Sequence, residues 1–286
     1  MEQDKLYSLV LDRYGELADR SSSEEQKRTE QSIAQAFGYL AADLSSIPQG
    51  ANLGVSCGNP LALANLREGE TVVDLGSGGG MDVLLAAKNV GPKGSAIGVD
   101  MTKSMLALAR RNADQAGTPN TSFLEASITA IPLPDSTANC IISNCVINLV
   151  PAAEKHLVFN EMFRLLAPGG RVALSDILIR KPLPQEVESS MSFYVGCIAG
   201  ASQVQDYDKY LHDAGFKEIM IIDTHTDINI YKELVQGQEE SEVIGCQLQT
   251  PSCHEVVQGS NTSDGSLLDH DFNEWAGSFQ IYAIKP

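Results

Sequence analysis

Positive charge is scarce in this chain: 20 Lys and Arg stand against 37 Asp and Glu, a formal net charge of −17 over 286 residues. A surface of that sign repels phosphate backbones and anionic membrane faces, which excludes nucleic acid and acidic lipid as partners. Long apolar runs are missing too. None approaches the roughly 20 residues that a membrane-spanning helix needs. The opening stretch MEQDKLYSLVLDRYGEL has no basic segment followed by an apolar one. No secretory leader is therefore expected, and the compartment reads as cytoplasmic. Cysteine is sparse. Six thiols in a chain of this length are too few for a disulfide scaffold, and no C-x-x-C pair occurs, which argues against a zinc ribbon. The thiols are expected to be reduced, for structural, metal-binding or catalytic use.

What is present is a 43% hydrophobic composition, enough for one sizeable α/β domain with appendages or two small domains. Residues 1–50 read as helical and polar, broken at 21–26. Residues 51–60, ANLGVSCGNP, read as an irregular loop. From residue 71 strands and helices alternate: strands at 71–76, 95–101, 121–127, 138–145 and 171–179, and helices at 81–90, from Thr102 to Gly117, and over 152–167 up to Pro168-Gly169-Gly170. That order implies a doubly wound, mostly parallel sheet covered on both faces. Further on, helices are expected at 184–200 and 206–215 and strands at 217–223 and 277–286, the last one antiparallel, which makes seven strands. The stretch 236–274 reads as a polar insertion, loop-like or partly disordered. The organisation expected is a helical segment at 1–50, a cofactor-binding core at 51–180, and a region at 181–286 that completes the sheet and carries the substrate side.

Asp74-Leu-Gly76-Ser77-Gly78-Gly-Gly80 follows the first strand and opens a helix. Glycines there let a ligand approach the backbone closely. A dinucleotide fingerprint would need a glycine where Met81 stands, which weakens that reading. Asp100 closes the second strand, where a carboxylate can accept both hydroxyls of a ribose. A tight turn with no ligand is the plain alternative.

Of the cysteines, Cys140 alternates inward within the fourth strand and reads as a small buried residue. Cys145, after Asn144, lies at the carboxyl end of that strand. Cys57 lies in the irregular loop and Cys197 in YVGCIAGA, after the fifth strand. By spacing alone they are either a converging set or ordinary free cysteines. Cys246 and Cys253 fall in the polar insertion, as idle thiols or as a delivery or redox pair. GCQLQTPSCHE, from Cys246 to His254, matches no zinc pattern, and the five histidines read as surface residues.

Two resemblances bear on these residues. The D-x-G-x-G-x-G run resembles motif I of the class I S-adenosylmethionine-dependent methyltransferases. It implies Asp74 near the cofactor's ammonium, Met101 against the adenine, and Ser127 and Ile128 at the adenine edge, with Gly76, Ser77, Gly78, Asp100 and Asn144 completing the site. LGVSCGNP (53–60), SNCVINLVP (143–151) and YVGCIAGA (194–201), together with that run, resemble the arsenite methyltransferases over residues 50–223. The resemblance implies that Cys57, Cys145 and Cys197 bind As(III), that arsenite and methylated arsenicals are the substrates, and that an external thiol reductant of glutathione or thioredoxin type restores As(III). Trivalent arsenic is soft and prefers sulfur ligands. Some relatives carry a further cysteine near the N-terminus that pairs with the counterpart of Cys57; this chain has none before Cys57. Two rivals remain. One is a methyltransferase of a small organic acceptor, which needs a base near the crevice. The other is a non-catalytic thiol-based metalloid-binding protein, which has no use for Asp74 and Asp100.

Overall fold

The computed structural model describes residues 2–183, 200–232 and 271–286. Strand β1 (Thr71–Leu75) is buried on both faces after its first residue, as befits a central parallel strand, with Asp74 the one charged residue in it. It pairs in parallel with β2 (Ser95–Asp100) on one side and β4 (Ala138–Asn144) on the other. With β3 (Thr121–Glu125), β5 (Leu166–Ile179), β6 (Lys217–Asp223) and β7 (Ala276–Ile284), the seven strands lie in the order β3-β2-β1-β4-β5-β7-β6. β7 runs antiparallel to both β5 and β6. The expected mostly parallel seven-stranded sheet is therefore present.

Among the described residues the α-helices are α1 (Glu2–Asp19), α2 (Glu24–Ala36), α3 (Ala41–Ser45), α4 (Pro60–Ala64), α5 (Met81–Val90), α6 (Lys103–Ala116), α7 (Lys155–Leu165) and α8 (Val204–Ala214). Helix α2 starts at a capping box, with Ser23 and Gln26 bonding each other's backbone N–H. Helix α5 is almost wholly buried, as an apolar helix between sheet and N-terminal helices must be. The chain leaves β1 for β2 on one side and arrives at β4 on the other. The carboxyl ends of β1 and β4 thus splay around the crevice where such sheets bind ligands.

Two sequence expectations need correcting. The helix over 152–167 is shorter, because Leu166 already leaves it to pair with Ala138; Leu166–Ile179 is one strand with an irregularity where Pro168-Gly169-Gly170 was expected only to stop the helix. That irregular corner is pinned to the end of the chain. The Gly169 N–H donates to Lys285 O (2.8 Å), and the Lys285 N–H donates to Gly170 O (2.9 Å). The end of the polar insertion is not a loop: Phe272–Glu274 is a 3₁₀ turn capped by Asp271, and its Phe272 is buried. The helix expected at 184–200 lies, up to residue 199, outside the described residues, as does the insertion over 236–270.

Candidate active site

The loop from Gly76 to Gly80 must turn sharply from β1 into α5. Gly76, Gly78 and Gly80 all have positive φ. At Gly76 (φ +71°) a Cβ would also lie 2.3 Å from a methyl of Val146, so glycine is required there twice over. The loop floors a cleft of about 1010 Å³, part of it open to solvent. Asp74, Gly76, Ser77, Gly78, Asp100, Met101, Ser127, Ile128, Asn144 and Cys145 all line it. Every cofactor residue expected from the sequence is thus brought to one place. Helix α1 adds Tyr7, Val10 and Tyr14 to the wall, and Tyr7 fastens that helix by donating to Glu154 Oε2 at 2.7 Å.

Asp100 sits between the glycine loop and α6. Its Oδ2 accepts from the Gly78 N–H (2.9 Å) and its Oδ1 from the Thr102 N–H (2.8 Å). The Thr102 side chain, expected as the helix cap, makes no capping bond; the Asp100 carboxylate two residues earlier bonds the backbone at that helix start instead. Each carboxylate oxygen keeps a lone pair for a diol. The Ser77 hydroxyl is buried at the cleft and has no partner among the described residues, which suits a polar ligand.

The cleft is strongly acidic. Asp74, Asp82 and Asp100 are all buried, and burial raises all three carboxyl pKa values. For Asp74 the charges of Asp82 and Asp100 add to the effect. Asp82 is pushed up to about 6 in spite of the hydrogen bonds from Tyr39 and Asn144 that oppose it. Buried carboxylates crowded in this way call for a cation. A ligand carrying an ammonium and a sulfonium fits them, and the Asp100 corner fits a ribose.

Beside the cleft lie the thiols. Cys145 takes a left-handed backbone conformation (φ +60°), costly for a residue with a side chain and common at functional sites. Its N–H donates to Ser175 O at 2.9 Å, which ties the end of β4 to β5. The Cys57 loop is held against the same strand end: the Cys57 N–H donates to Asn144 Oδ1 (3.1 Å), and Asn144 Nδ2 donates to Gly58 O (2.9 Å) and to the Tyr39 hydroxyl (2.8 Å). Asn144 therefore joins the thiol loop to the acidic cleft. Cys57 and Cys145 are buried, and their sulfurs and a carboxylate oxygen of Asp176, from β5, lie within 4.8 Å of one another. An apolar cluster including Val10, Ile33, Phe37, Leu149, Ile177 and Phe272 surrounds the pair.

Cys197, Cys246 and Cys253 lie outside the described residues. Cys140 is buried in β4, and burial pushes its thiol up to about 12, which fits the inert reading. His156, His212 and His225 are exposed. Sequence reasoning missed Asp82, Tyr39 and Asp176. Asp82 sits in the first turn of α5, where an acidic residue is ordinary, and Tyr39, which donates to it at 2.7 Å, and Asn144 at 3.4 Å mark it out.

A family model described as a methyltransferase domain matches residues 66–215. The chain belongs to that family. The arsenite methyltransferase of Halobacterium salinarum is 47% identical over 193 residues, covering 68% of this chain and 49% of that protein. This methyltransferase chain thus spans about half the length of that curated relative. A ubiquinone/menaquinone biosynthesis C-methyltransferase of Salmonella paratyphi B is 31% identical over 176 residues, 60% of this chain and 67% of that protein. Among solved structures, an arsenic(III) S-adenosylmethionine methyltransferase from Chlamydomonas reinhardtii superposes with a TM-score of 0.55 at 28% identity, covering 89% of this chain and 73% of that one. The sheet with its antiparallel β7 is the class I methyltransferase fold. Among the described residues no helix is long and apolar enough to cross a membrane.

Proposed function

We propose that this chain is an arsenite methyltransferase. The observation that carries the reading is the meeting of the Cys57 and Cys145 thiols at the edge of a buried acidic cleft. The cofactor is S-adenosylmethionine, which when bound supplies a methyl group activated by a sulfonium. Asp74 and Asp82 hold its cationic end, Asp100 its ribose, and Met101, Ser127 and Ile128 its adenine. Cys57 and Cys145 hold trivalent arsenic, and Cys197 is the third thiolate. Thiolates on one side of arsenic leave its lone pair facing away from the sulfurs, and this lone pair is the nucleophile. Arsenic has no proton to remove, so no general base is needed. The work of the protein is positioning, which supplies about 7–11 kcal/mol when reacting atoms are held in line. Methylation raises the formal oxidation state of arsenic, and an external thiol of glutathione or thioredoxin type returns it to As(III).

Among the described residues the small-organic-acceptor reading finds no base: the three described histidines are exposed, and the cleft's carboxylates are those a cationic cofactor needs. The deciding experiment is mass spectrometry of arsenic species after incubation with S-adenosylmethionine, arsenite and a thiol. Methylated arsenicals are expected. Their absence, with methyl transfer to a quinone-like ring observed instead, would overturn the proposal.

Asp100→Ala is expected to weaken S-adenosylmethionine binding by about 1.5–3 kcal/mol, the size of a hydrogen bond to a charged group, with the fold intact. An unchanged calorimetric affinity would remove Asp100 from the ribose site.

The acidic cleft also sets a pH dependence. Cofactor binding needs ionised carboxylates, so affinity is expected to fall as pH drops through the Asp82 value of about 6. Near that pH, binding should release protons, seen as a heat that varies with the buffer's ionisation enthalpy. Cofactor-free stability has the opposite sign. The folded state binds the Asp82 proton more tightly than the unfolded chain, whose value is near 3.8. Its contribution is therefore full below the unfolded value and is lost as pH rises through about 6. Affinity independent of pH across this window would contradict the role given to Asp74 and Asp82.

A further inference from the structure

Two thiols and a carboxylate in mutual reach make a donor set of their own. Asp176 comes from β5, Cys145 from the turn after β4 and Cys57 from the loop before α4, and their ligand atoms all lie within 4.8 Å of one another. The carboxylate is already oriented. Its Oδ1 accepts from Asn148 Nδ2 (2.8 Å) and from the Ile177 N–H (3.0 Å), and its Oδ2 from the Tyr207 hydroxyl (2.7 Å). Oδ1 is filled by its two donors, while Oδ2, with the Tyr207 hydroxyl on one side, still has a lone pair to offer. Hydrogen bonds from behind are what hold a ligating carboxylate in place at metal sites. The two cysteines are held equally firmly through their backbones, by Asn144 and by Ser175 O. Asp176 is 1% exposed, and nothing in the arsenic chemistry given above uses it.

We propose that Cys57, Cys145 and Asp176 form a binding site for a thiophilic divalent cation, of the Zn²⁺ or Cd²⁺ class. The charge argues for it. Two thiolates and a carboxylate carry three negative charges; buried Lys155 offsets one near Asp176, and a divalent ion neutralises the remaining two better than any neutral ligand. The donors argue for the class. Sulfur selects against Mg²⁺ and Ca²⁺, while thiolate and carboxylate are both ligands that zinc-like ions accept, and three protein donors leave the fourth corner open. The site is reached from the cleft, since Cys145 and Ser56 both line it. An ion bound there occupies the thiols that arsenic needs, so Zn²⁺ or Cd²⁺ inhibits methylation competitively with arsenite. The inference uses the same two thiols as the arsenic reading but does not require turnover. Its distinguishing element is Asp176.

The test uses the full chain with Cys197, Cys246 and Cys253 replaced by serine, which leaves Cys57, Cys145 and the inert Cys140. Cd²⁺ titration, followed by sulfur-to-metal charge-transfer absorption, is expected to give one ion per chain with the intensity of two thiolates. Asp176→Asn should weaken Cd²⁺ binding by at least the roughly tenfold that loss of a supporting group costs at metal sites. Phenylarsine oxide needs two sulfurs and no carboxylate. Its affinity should stay unchanged in Asp176→Asn and be lost in Cys145→Ser. Should Asp176→Asn fail to fold, as judged by circular dichroism, Asp176→Cys serves instead. It adds a third sulfur, and the charge-transfer intensity should rise to that of three thiolates. Cd²⁺ affinity unchanged in folded Asp176→Asn, or an intensity still that of two thiolates in Asp176→Cys, overturns the inference. Phenylarsine oxide binding without any arsenite methylation by the parent chain would overturn the proposed function and leave the cation site standing.

Discussion

Cys145→Ser is expected to lower the rate of arsenite methylation by more than about 100-fold, the scale on which loss of positioning acts, while S-adenosylmethionine still binds. Serine keeps the shape and the left-handed backbone of this position but removes the soft ligand. Cys145 lines the cleft and its sulfur lies next to that of Cys57, so losing it breaks the link between arsenic and cofactor. The substrate series sharpens the test. Inorganic arsenite has three bonds to exchange for sulfur, whereas a monomethylated arsenical has two. Cys57, Cys145 and Cys197 should all be needed for arsenite. Cys145 and Cys197 should remain essential for the monomethyl species, with Cys57 the more dispensable. Rates by chromatography of arsenic species settle the matter, and full activity of Cys145→Ser on arsenite refutes the thiolate site.

Gly76→Ala should be the most damaging single methyl group in the molecule's cofactor half. A left-handed conformation costs a residue with a Cβ about 1–2 kcal/mol. Collision with Val146, whose side-chain carbons would lie 2.3, 2.6 and 2.9 Å away, adds the roughly 1–3 kcal/mol typical of overpacking. The sum, about 2–5 kcal/mol, is a large part of a domain's stability. Gly117→Ala separates the two contributions: its φ is also positive (+63°), but nothing lies within 4 Å of the new Cβ, so only the backbone cost applies. Adding Val146→Ala to Gly76→Ala should recover only part of the difference, because the residue-146 Cβ stays 2.9 Å from the new methyl. Urea midpoints that are equal for Gly76→Ala and Gly117→Ala would show that the Val146 contact does not matter.

Where the determinants are local, the sequence is readable to the residue. Helix α5 begins and ends at Met81 and Val90 because glycines flank an apolar run, and β6 is bounded by Gly215 and a polar segment. The residues Asp74, Gly76, Ser77, Gly78 and Asp100 can be grouped from the sequence alone, because a strand, a glycine turn and a second strand end always bring such positions to one crevice. Determinants that act across the fold are hidden. Asp82 gains meaning only from Tyr39, 43 positions away, and Asn144, 62 positions away. Asp176 looks like one more residue of a buried strand, because its partners Asn148 and Tyr207 lie 28 and 31 positions off. The early end of α7 is hidden for the same reason: Leu166 leaves the helix to meet Ala138, a partner no helical pattern reveals.

β7 follows β6 in the chain yet lies between β6 and β5. In the finished sheet β6 bonds only to β7, so it has no ladder to join until β7, later in the chain, is in place beside it. Assembly at this edge must therefore run against chain order. β5 waits with an open edge until β7 docks from far along the chain, and β6 enters the sheet no earlier than β7. Loops of that length close slowly, and an open strand edge invites pairing with other chains in the meantime. In a refolding reaction followed by pulsed hydrogen exchange, the amides of β1, β2 and β4 should become protected first. Those of Met220–Asp223 should follow β7 and never precede it, so the chain's slowest refolding phase should be the one most sensitive to protein concentration.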